Sequence, residues 1–225
     1  MLILAADTSG KNGSLALVRF EAEVPQTLEL VSLEGGNFSA QLVPQISDLL
    51  KKHGLSKSDV DGFAVAAGPG SFTGLRVGLA AIKALAEILR KPIAAVSLLE
   101  AVARAAGRDG SVLAALDAGR SEIYCGEYEI SGTRAKLIAQ QLWSEAEFIN
   151  GAGGRVVVTP DARIAEFARQ KNLQVILIAP LQADAIAKQG FEKIQAGDTT
   201  SPEALDASYI RRSDAEVMKG VRNQA

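Results

Sequence analysis

The chain has 225 residues, of which 48% are hydrophobic and 5% are aromatic, and its formal net charge is −2. This length allows one large domain or two small ones, each with a real hydrophobic core. With 24 basic and 26 acidic residues there is no global positive field, so we expect no tight independent binding of nucleic acid. The single cysteine, Cys125, excludes an internal disulfide framework.

The apolar stretches are too short to predict a membrane protein. The N-terminal apolar run is interrupted by Asp7 and lacks a basic region, and Lys83, Glu87 and Arg90 interrupt the longest later stretch. A membrane-spanning helix needs about 20 mainly apolar residues. We therefore predict a cytoplasmic protein that does not contact a membrane.

The first hundred residues alternate between strand and helix patterns. Short apolar or alternating runs predict a three-stranded meander over residues 2–6, 14–18 and 28–33. Apolar residues at helical spacing predict helices over 39–52 and 75–89, with strands over 62–67 and 93–96. Ser71 and Thr73 are suited to cap the second helix.

The same order of elements restarts at Val112. Strands are predicted over 112–116, 122–130 and 135–140, followed by a strand, a helix, a strand and a helix over 155–158, 161–170, 175–178 and 181–190. An internal duplication is the simplest explanation, with a boundary near 97–110. We expect an α/β protein with an N-terminal subdomain over 1–100, joined by a C-terminal helix over 205–220, and a second subdomain over 101–204.

In each half a strand ends in an aspartate and small residues and turns back into the next strand. The two turns are Asp7-Thr8-Ser9 and Asp117-Ala118-Gly119. Carboxylates and backbone amides in such hairpins can hold a metal ion and a phosphate, so two facing copies would form a nucleotide cleft with Asp7, Thr8, Ser9 and Asp117 as its residues. Ordinary turn formation explains the same residues equally well.

A glycine-rich loop connects the strand over 62–67 to the second helix. Its glycines permit close approach of another backbone, and amides at the helix start could bind phosphate. The loop lacks the Gly-Lys-Ser/Thr ending of a phosphate-binding P-loop, which favours a structural or docking role. Gly74, Gly78 and nearby alanines flatten one side of the helix, against which a neighbouring helix of this chain or of a partner could lie.

The residue types present exclude several enzyme classes. His53 is the single histidine and follows two lysines at the end of the first helix, where it offsets the helix dipole. With one histidine and one cysteine, a histidine-based zinc site cannot be built, and a catalytic triad would have to include His53. These counts oppose protease and zinc-hydrolase functions, while the carboxylates of Asp7 and Asp117 stay possible magnesium ligands. We predict no catalytic residue and no metal site in this chain.

Four segments, in this order and spacing, resemble the bacterial TsaB (YeaZ) family. They are Ala5-Ala6-Asp7-Thr8-Ser9, Gly68-Pro69-Gly70-Ser71-Phe72-Thr73-Gly74-Leu75-Arg76-Val77-Gly78, Asp117-Ala118-Gly119-Arg120-Ser121-Glu122-Ile123-Tyr124 and Tyr209-Ile210-Arg211. The glycine-rich segment is specific to that family. The Asp-Thr-Ser hairpin is shared with the wider actin, Hsp70 and sugar-kinase superfamily.

The resemblance implies two actin-like subdomains of the ASKHA, ribonuclease H-like class, with mixed sheets flanked by helices. It also implies a non-catalytic partner subunit that works with the paralogous transferase TsaD and the ATPase TsaE. That complex transfers a threonylcarbamoyl group from threonylcarbamoyl-AMP to N6 of the adenosine 3′ of the anticodon in tRNA. ATP and metal would be used by the partner subunits, tRNA would be met only through the complex, and a homodimer would form when the partner is absent.

One departure from the catalytic paralogue concerns its His-x-x-x-His metal motif. The matching positions here are Asn37 and Gln41, whose amides are poor ligands for a transition metal. The resemblance therefore implies that metal-dependent transfer is carried out elsewhere.

Two functional hypotheses follow. In the first, the two helices of the N-terminal half present an apolar partner interface, since apolar side chains dominate interface cores. Its predicted residues are Leu42, Ile46, Leu49, Gly74, Gly78, Ala81, Leu85 and Ile88. In the second, the chain is itself an ATP-dependent phosphotransferase or ATPase that uses Asp7 and Asp117 with magnesium.

Overall fold

The computed structural model describes residues 1–210, which form two units that each contain a five-stranded sheet. The first unit contains β1 (Leu2–Asp7), β2 (Gly13–Glu21), β3 (Val24–Leu33), α1 (Phe38–Lys52), β4 (Gly62–Gly68), α2 (Phe72–Leu89) and β5 (Ile93–Ser97). Its sheet has the strand order β3-β2-β1-β4-β5, with an antiparallel meander on one side and two parallel strands on the other.

The elements after β5 are α3 (Leu98–Arg104), β6 (Gly110–Gly119), β7 (Glu122–Ser131), β8 (Arg134–Ser144), α4 (Glu145–Gly151), β9 (Val156–Thr159), α5 (Ala162–Gln170), β10 (Val175–Leu177) and α6 (Ala183–Gln195). The second sheet repeats the arrangement of the first with the order β8-β7-β6-β9-β10 and the same strand directions. In β3 and β8, the third strands of the two meanders, the pairing skips one residue, which forms a bulge at Leu28 and at Ile138. The predicted fold class, with mixed sheets flanked by helices, is confirmed.

Both faces of the first sheet are covered, which explains the unbroken apolar run of β1. Leu2 and Leu4 face α1 and α2, whereas Ile3 and Ala5 face α6. Each fully buried leucine or isoleucine contributes about 1.5–3 kcal/mol to stability. The central strands of this sheet therefore hold the first unit together.

Helix α6 covers the first sheet, although the sequence analysis placed residues 101–204 in the second subdomain. It lies across β1, β2, β4 and β5, the Phe191 ring stacks on Phe20 with centroids 4.0 Å apart, and the Ala183 amide donates to Ser14 Oγ at 2.9 Å. Its small residues let it sit close to the sheet. The predicted domain boundary is therefore wrong for α6. The uncovered face of a sheet can be buried by any apolar helix within reach, wherever that helix lies in the sequence.

The chain after α6 also returns to the first unit. The Thr200 amide donates to the Ile93 carbonyl at 2.9 Å, the Ser208 amide donates to the Ala67 carbonyl at 2.7 Å, and Leu205 is buried. Residues 205–210 are not helical, so the predicted helix over 205–220 is wrong for that part, and its remainder lies outside the described residues.

Three helices differ from the sequence prediction. Helix α2 begins three residues earlier than expected, because Ser71 Oγ accepts the Gly74 amide at 3.3 Å as an N-cap. Helices α3 and α4 were not predicted, since seven residues span about two turns and show no clear periodicity. Within residues 1–210 no helix is long and apolar enough to cross a membrane.

We expect Gly190→Ala to destabilise the protein by about 1–3 kcal/mol, because the added methyl group would collide with the Ala64 side chain beneath α6. Without that collision the change should stabilise a helix by about 1 kcal/mol. Urea unfolding followed by circular dichroism gives the sign of the change in the free energy of unfolding. Gly153→Ala, in the turn after α4, is the control for an uncrowded glycine, since the nearest atom to its added methyl group is 3.8 Å away. A Gly190→Ala variant that is as stable as this control would contradict the packing.

Candidate functional site

A cleft of about 1460 Å³ lies where the β1–β2 hairpin, the β6–β7 hairpin and the glycine-rich loop before α2 meet. We call it the interdomain cleft. The lining residues come from both units and from the segment after α6. They are Ser9 to Asn12, Gly35, Gly36, Phe38, Ser39, Pro69 to Gly74, Arg76, Val77, Asp117 to Arg120, Tyr124 and Ser208 to Ile210.

Asp7 ends β1 beneath this cleft and is buried. Its Oδ1 accepts the Ser9 amide at 2.9 Å, which forms a tight turn. Burial raises the pKa of Asp7 above its ordinary value, and the hydrogen bonds from Ser9 oppose that rise in part. A magnesium ligand must be ionised and accessible, and the Asp7 residue is only 8% exposed.

The glycine-rich loop packs directly on this turn. Thr8 Oγ1 donates to the Gly74 carbonyl at 2.7 Å, and the Ser71 amide donates to the Ser9 carbonyl at 2.7 Å. A methyl group on Gly74 would overlap the Thr8 carbonyl oxygen, and one on Gly78 would overlap Thr8 Oγ1. The loop therefore docks on the hairpin turn, in the structural role that its sequence favoured. The Ser71 amide already donates to Ser9 and so is not available to bind a phosphate.

Asp117 lies at the end of the second hairpin and is paired with an arginine. Its Oδ1 accepts the Gly119 amide at 3.1 Å and a guanidinium N–H of Arg163 at 2.9 Å. The same guanidinium donates to Glu145 at 2.9 Å. Sequence analysis missed Arg163, which lies 46 residues further along the chain, and no local pattern marks it. The Asp117 carboxylate therefore already has a cationic partner within the protein.

Aromatic and cationic side chains meet at the rim of the cleft. Arg76 lies over the Phe72 ring, 3.8 Å from its centroid, and donates to the Tyr209 hydroxyl at 3.0 Å. The Phe72 and Tyr209 ring centroids are 5.0 Å apart. The glycine-rich segment and the Tyr209-Ile210-Arg211 segment, which both carried the family resemblance, therefore meet here. Arg211 itself lies outside the described residues.

Most of the predicted partner-interface residues face the protein's own core. Leu42, Ile46 and Leu49 are at most 4% exposed because the apolar stripe of α1 covers the first sheet. Gly74 and Gly78 lie against Thr8. That part of the prediction is wrong, since a helical stripe shows that a face is apolar but not what covers it.

The outward sides of α1 and α2 carry a different set of residues. Ala81 and Leu85 are half-buried, whereas Ile88 is 73% exposed. We call the exposed aliphatic residues of these two helices the α1–α2 outer face. Its members are Ala40, Val43, Pro44, Ala80, Ala84 and Ile88.

Gln41, at one of the two positions of the paralogue's metal motif, has another contact. The Gln41 amide exchanges hydrogen bonds of 3.2 Å with the Glu34 backbone. His53 Nε2 lies 2.8 Å from a Glu29 carboxylate oxygen on β3, outside the cleft. Across residues 1–210 no three His, Cys, Asp or Glu side chains are grouped closely enough to hold a metal ion.

The amino-acid sequence is similar to a known protein family and to several named proteins. A family model described as "TsaD: tRNA N6-adenosine threonylcarbamoyltransferase" matches residues 33–207. The tRNA threonylcarbamoyladenosine biosynthesis protein TsaB of Bacillus subtilis is 38% identical over 131 residues, which cover 57% of this chain and 56% of that protein. Its namesake in Haemophilus influenzae is 32% identical over 162 residues, which cover 67% of each chain.

The fold is also similar to that of a solved protein. YeaZ from Pseudomonas aeruginosa superposes with a TM-score of 0.71 at 25% identity, and the match covers 92% of this chain and 99% of that one. The match to TsaB of Escherichia coli, at 36% identity, covers 55% of that relative. The chain thus spans just over half the length of the Bacillus and Escherichia relatives that it matches.

We expect Gly78→Ala to destabilise the protein by about 1–3 kcal/mol through its collision with Thr8 Oγ1. Thr8→Ala removes that oxygen, so the double variant should recover most of the loss in a double-mutant cycle measured by urea unfolding. Gly74→Ala is the matched comparison, because its methyl group meets the Thr8 backbone and should not be rescued. Equal rescue of both variants would contradict this geometry.

We expect Asp7→Asn to raise the melting temperature near neutral pH. The folded state holds the Asp7 proton to a higher pH than the unfolded chain does, so stability falls as pH rises above the ordinary aspartate pKa of about 4. The asparagine variant lacks this loss, and its advantage should vanish at acidic pH. Melting curves recorded from acidic to neutral pH test this expectation, with Asp48→Asn at an exposed position as the control. A variant that is less stable than wild type at neutral pH would show that the ionised carboxylate is favoured.

Proposed function

Because the chain belongs to the TsaB (YeaZ) family, we propose that it is an accessory subunit in the biosynthesis of threonylcarbamoyladenosine in tRNA. Its partner would be the TsaD transferase, supported by the ATPase TsaE, and tRNA would be met in their complex. This chain would supply no catalytic group to the transfer. A cytoplasmic location agrees with that substrate.

The internal pairing of the cleft carboxylates is the observation that supports a non-catalytic role. Asp7 is buried with a raised pKa, and Asp117 is bonded to Arg163 at 2.9 Å. Phosphoryl transfer depends on metal ions that bridge and neutralise phosphate oxygens, and those ions need ionised, accessible carboxylates. The rival function, an ATP-dependent phosphotransferase or ATPase, would require both carboxylates to leave their present partners.

The α1–α2 outer face supports a docking role. Its residues are small or aliphatic, so another pair of helices could approach closely, as ridges pack into grooves. Val43 at 56% and Ile88 at 73% exposed would bury considerable apolar area on docking. This face replaces the buried residues that the sequence had suggested.

The family match suggests the geometry of docking. Residues 33–207, which match the TsaD model, include both α1 and α2, so a TsaD chain should carry an equivalent helix pair. Two similar faces can pair around an approximate twofold axis. A second copy of this chain could use the same face, which accounts for a homodimer when TsaD is absent.

We expect Val43→Glu to abolish co-elution with TsaD and to reduce threonylcarbamoyladenosine formation by the reconstituted TsaD and TsaE mixture by about tenfold or more, since a buried unpaired charge costs several kcal/mol. Val24→Glu on β3 is the matched control, because Val24 is also exposed, at 66%, and lies outside this face. It should leave both readouts unchanged.

Two results would overturn the proposal. One is full modification of tRNA by TsaD and TsaE without this chain. The other is ATP turnover by the isolated chain that is lost in Asp7→Asn, which would establish the phosphotransferase or ATPase function instead.

A further inference from the structure

The charges that line the interdomain cleft are mostly positive, although the whole chain is slightly acidic. Four of the described lining residues are charged: Lys11, Arg76, Arg120 and Asp117. Asp117 shares the Arg163 guanidinium with Glu145, and the four lining side chains carry three positive charges against one negative charge. The cleft therefore attracts an anionic ligand.

Exposed aromatic rings are concentrated at the same place. Among the large hydrophobic side chains that are exposed within residues 1–210, the two aromatic ones are Phe72 at 38% and Tyr209 at 37%. They lie against each other, and Arg76 covers one ring face. Arg76 already stacks on Phe72 and bonds to Tyr209, but more than a third of each aromatic residue stays exposed, which leaves ring surface on which a flat partner could stack.

The size of the cleft favours a segment of polymer over a small molecule. Its volume of about 1460 Å³ exceeds the roughly 300–1,000 Å³ of typical small-ligand pockets. Lys11 lies on the β1–β2 turn and Arg120 on the β6–β7 turn, so the cations stand on opposite units of the protein. A charged chain that passes between the hairpins would meet both.

We propose that the interdomain cleft binds single-stranded RNA, with a base stacked on the Phe72–Arg76–Tyr209 platform and backbone phosphates beside Lys11 and Arg120. Aromatic platforms combined with cationic grooves are the usual means of holding unpaired nucleotides. This site rests on the proposed function for the identity of the RNA, which would be an unpaired region of the tRNA. An acidic peptide would satisfy the cations but gains little from the exposed rings.

The test is fluorescence anisotropy of the isolated chain with a labelled anticodon stem-loop RNA at low salt, where electrostatic attraction is strongest. Tyr209→Ala should weaken binding about tenfold, whereas Tyr209→Phe, which keeps the ring, should bind like wild type. Lys11→Glu should weaken binding and reduce the slope of log K against log salt by about 0.7 for each phosphate that the protein no longer neutralises. Lys136→Glu, the same charge change on β8 and outside the cleft, should change neither quantity.

Several outcomes would overturn the inference. They are a wild-type chain that binds no RNA at low salt, a Tyr209→Ala variant that binds like wild type, and equal effects of Lys11→Glu and Lys136→Glu. Displacement of the RNA by poly-glutamate in a manner that also depends on Tyr209 would assign the cleft to an acidic protein segment. Thermal melting confirms that each variant is folded.

The same samples separate this inference from the docking proposal. Val43→Glu should lose co-elution with TsaD while it keeps Tyr209-dependent RNA binding. A wild-type chain that fails to co-elute with TsaD but still binds RNA through Tyr209 would reject the docking proposal and leave the RNA site standing.

Discussion

The close approach between the Thr8–Ser9 turn and the glycine-rich loop determines how the rest of the first unit is arranged. Thr8 bonds to the carbonyl of Gly74, and Ser9 accepts the amide of Ser71, so the end of β1 is joined to the start of α2. No side chain larger than hydrogen fits at Gly74 or Gly78. That packing positions α2 on the sheet, and with it the outer face of α2 and the Phe72–Arg76 part of the cleft rim.

The same packing changes what an actin-like cleft can do. In this fold the hairpin turns face each other across a cleft, where their backbone and carboxylates could serve a nucleotide and its metal. Here Thr8 and Ser9 hold the loop, burial raises the pKa of Asp7, and Arg163 pairs with Asp117. At the rim of the same cleft, Phe72 and Tyr209 remain partly exposed.

Duplication explains the repeated sheet, but the two units are not separate in space. Helix α6 follows the second sheet in sequence and covers the first, and residues 200–208 return beside β4 and β5. The first unit therefore depends on chain that follows the second sheet for part of its core.

The sequence by itself determined most of the elements and the motifs, because hydrophobic periodicity and turn chemistry act over a few residues. The meander, α1, α2, the repeat of the strand order and the two aspartate turns could all be predicted in this way. The tertiary structure alone decided that Leu42 and Ile46 face the protein's own sheet while Val43 faces outward, and that α6 joins the first unit. It alone brought Arg163 to Asp117 and Tyr209 to Arg76, across 46 and 133 residues of chain. Such pairings depend on which surfaces meet after the sheets have formed, and no local pattern encodes them.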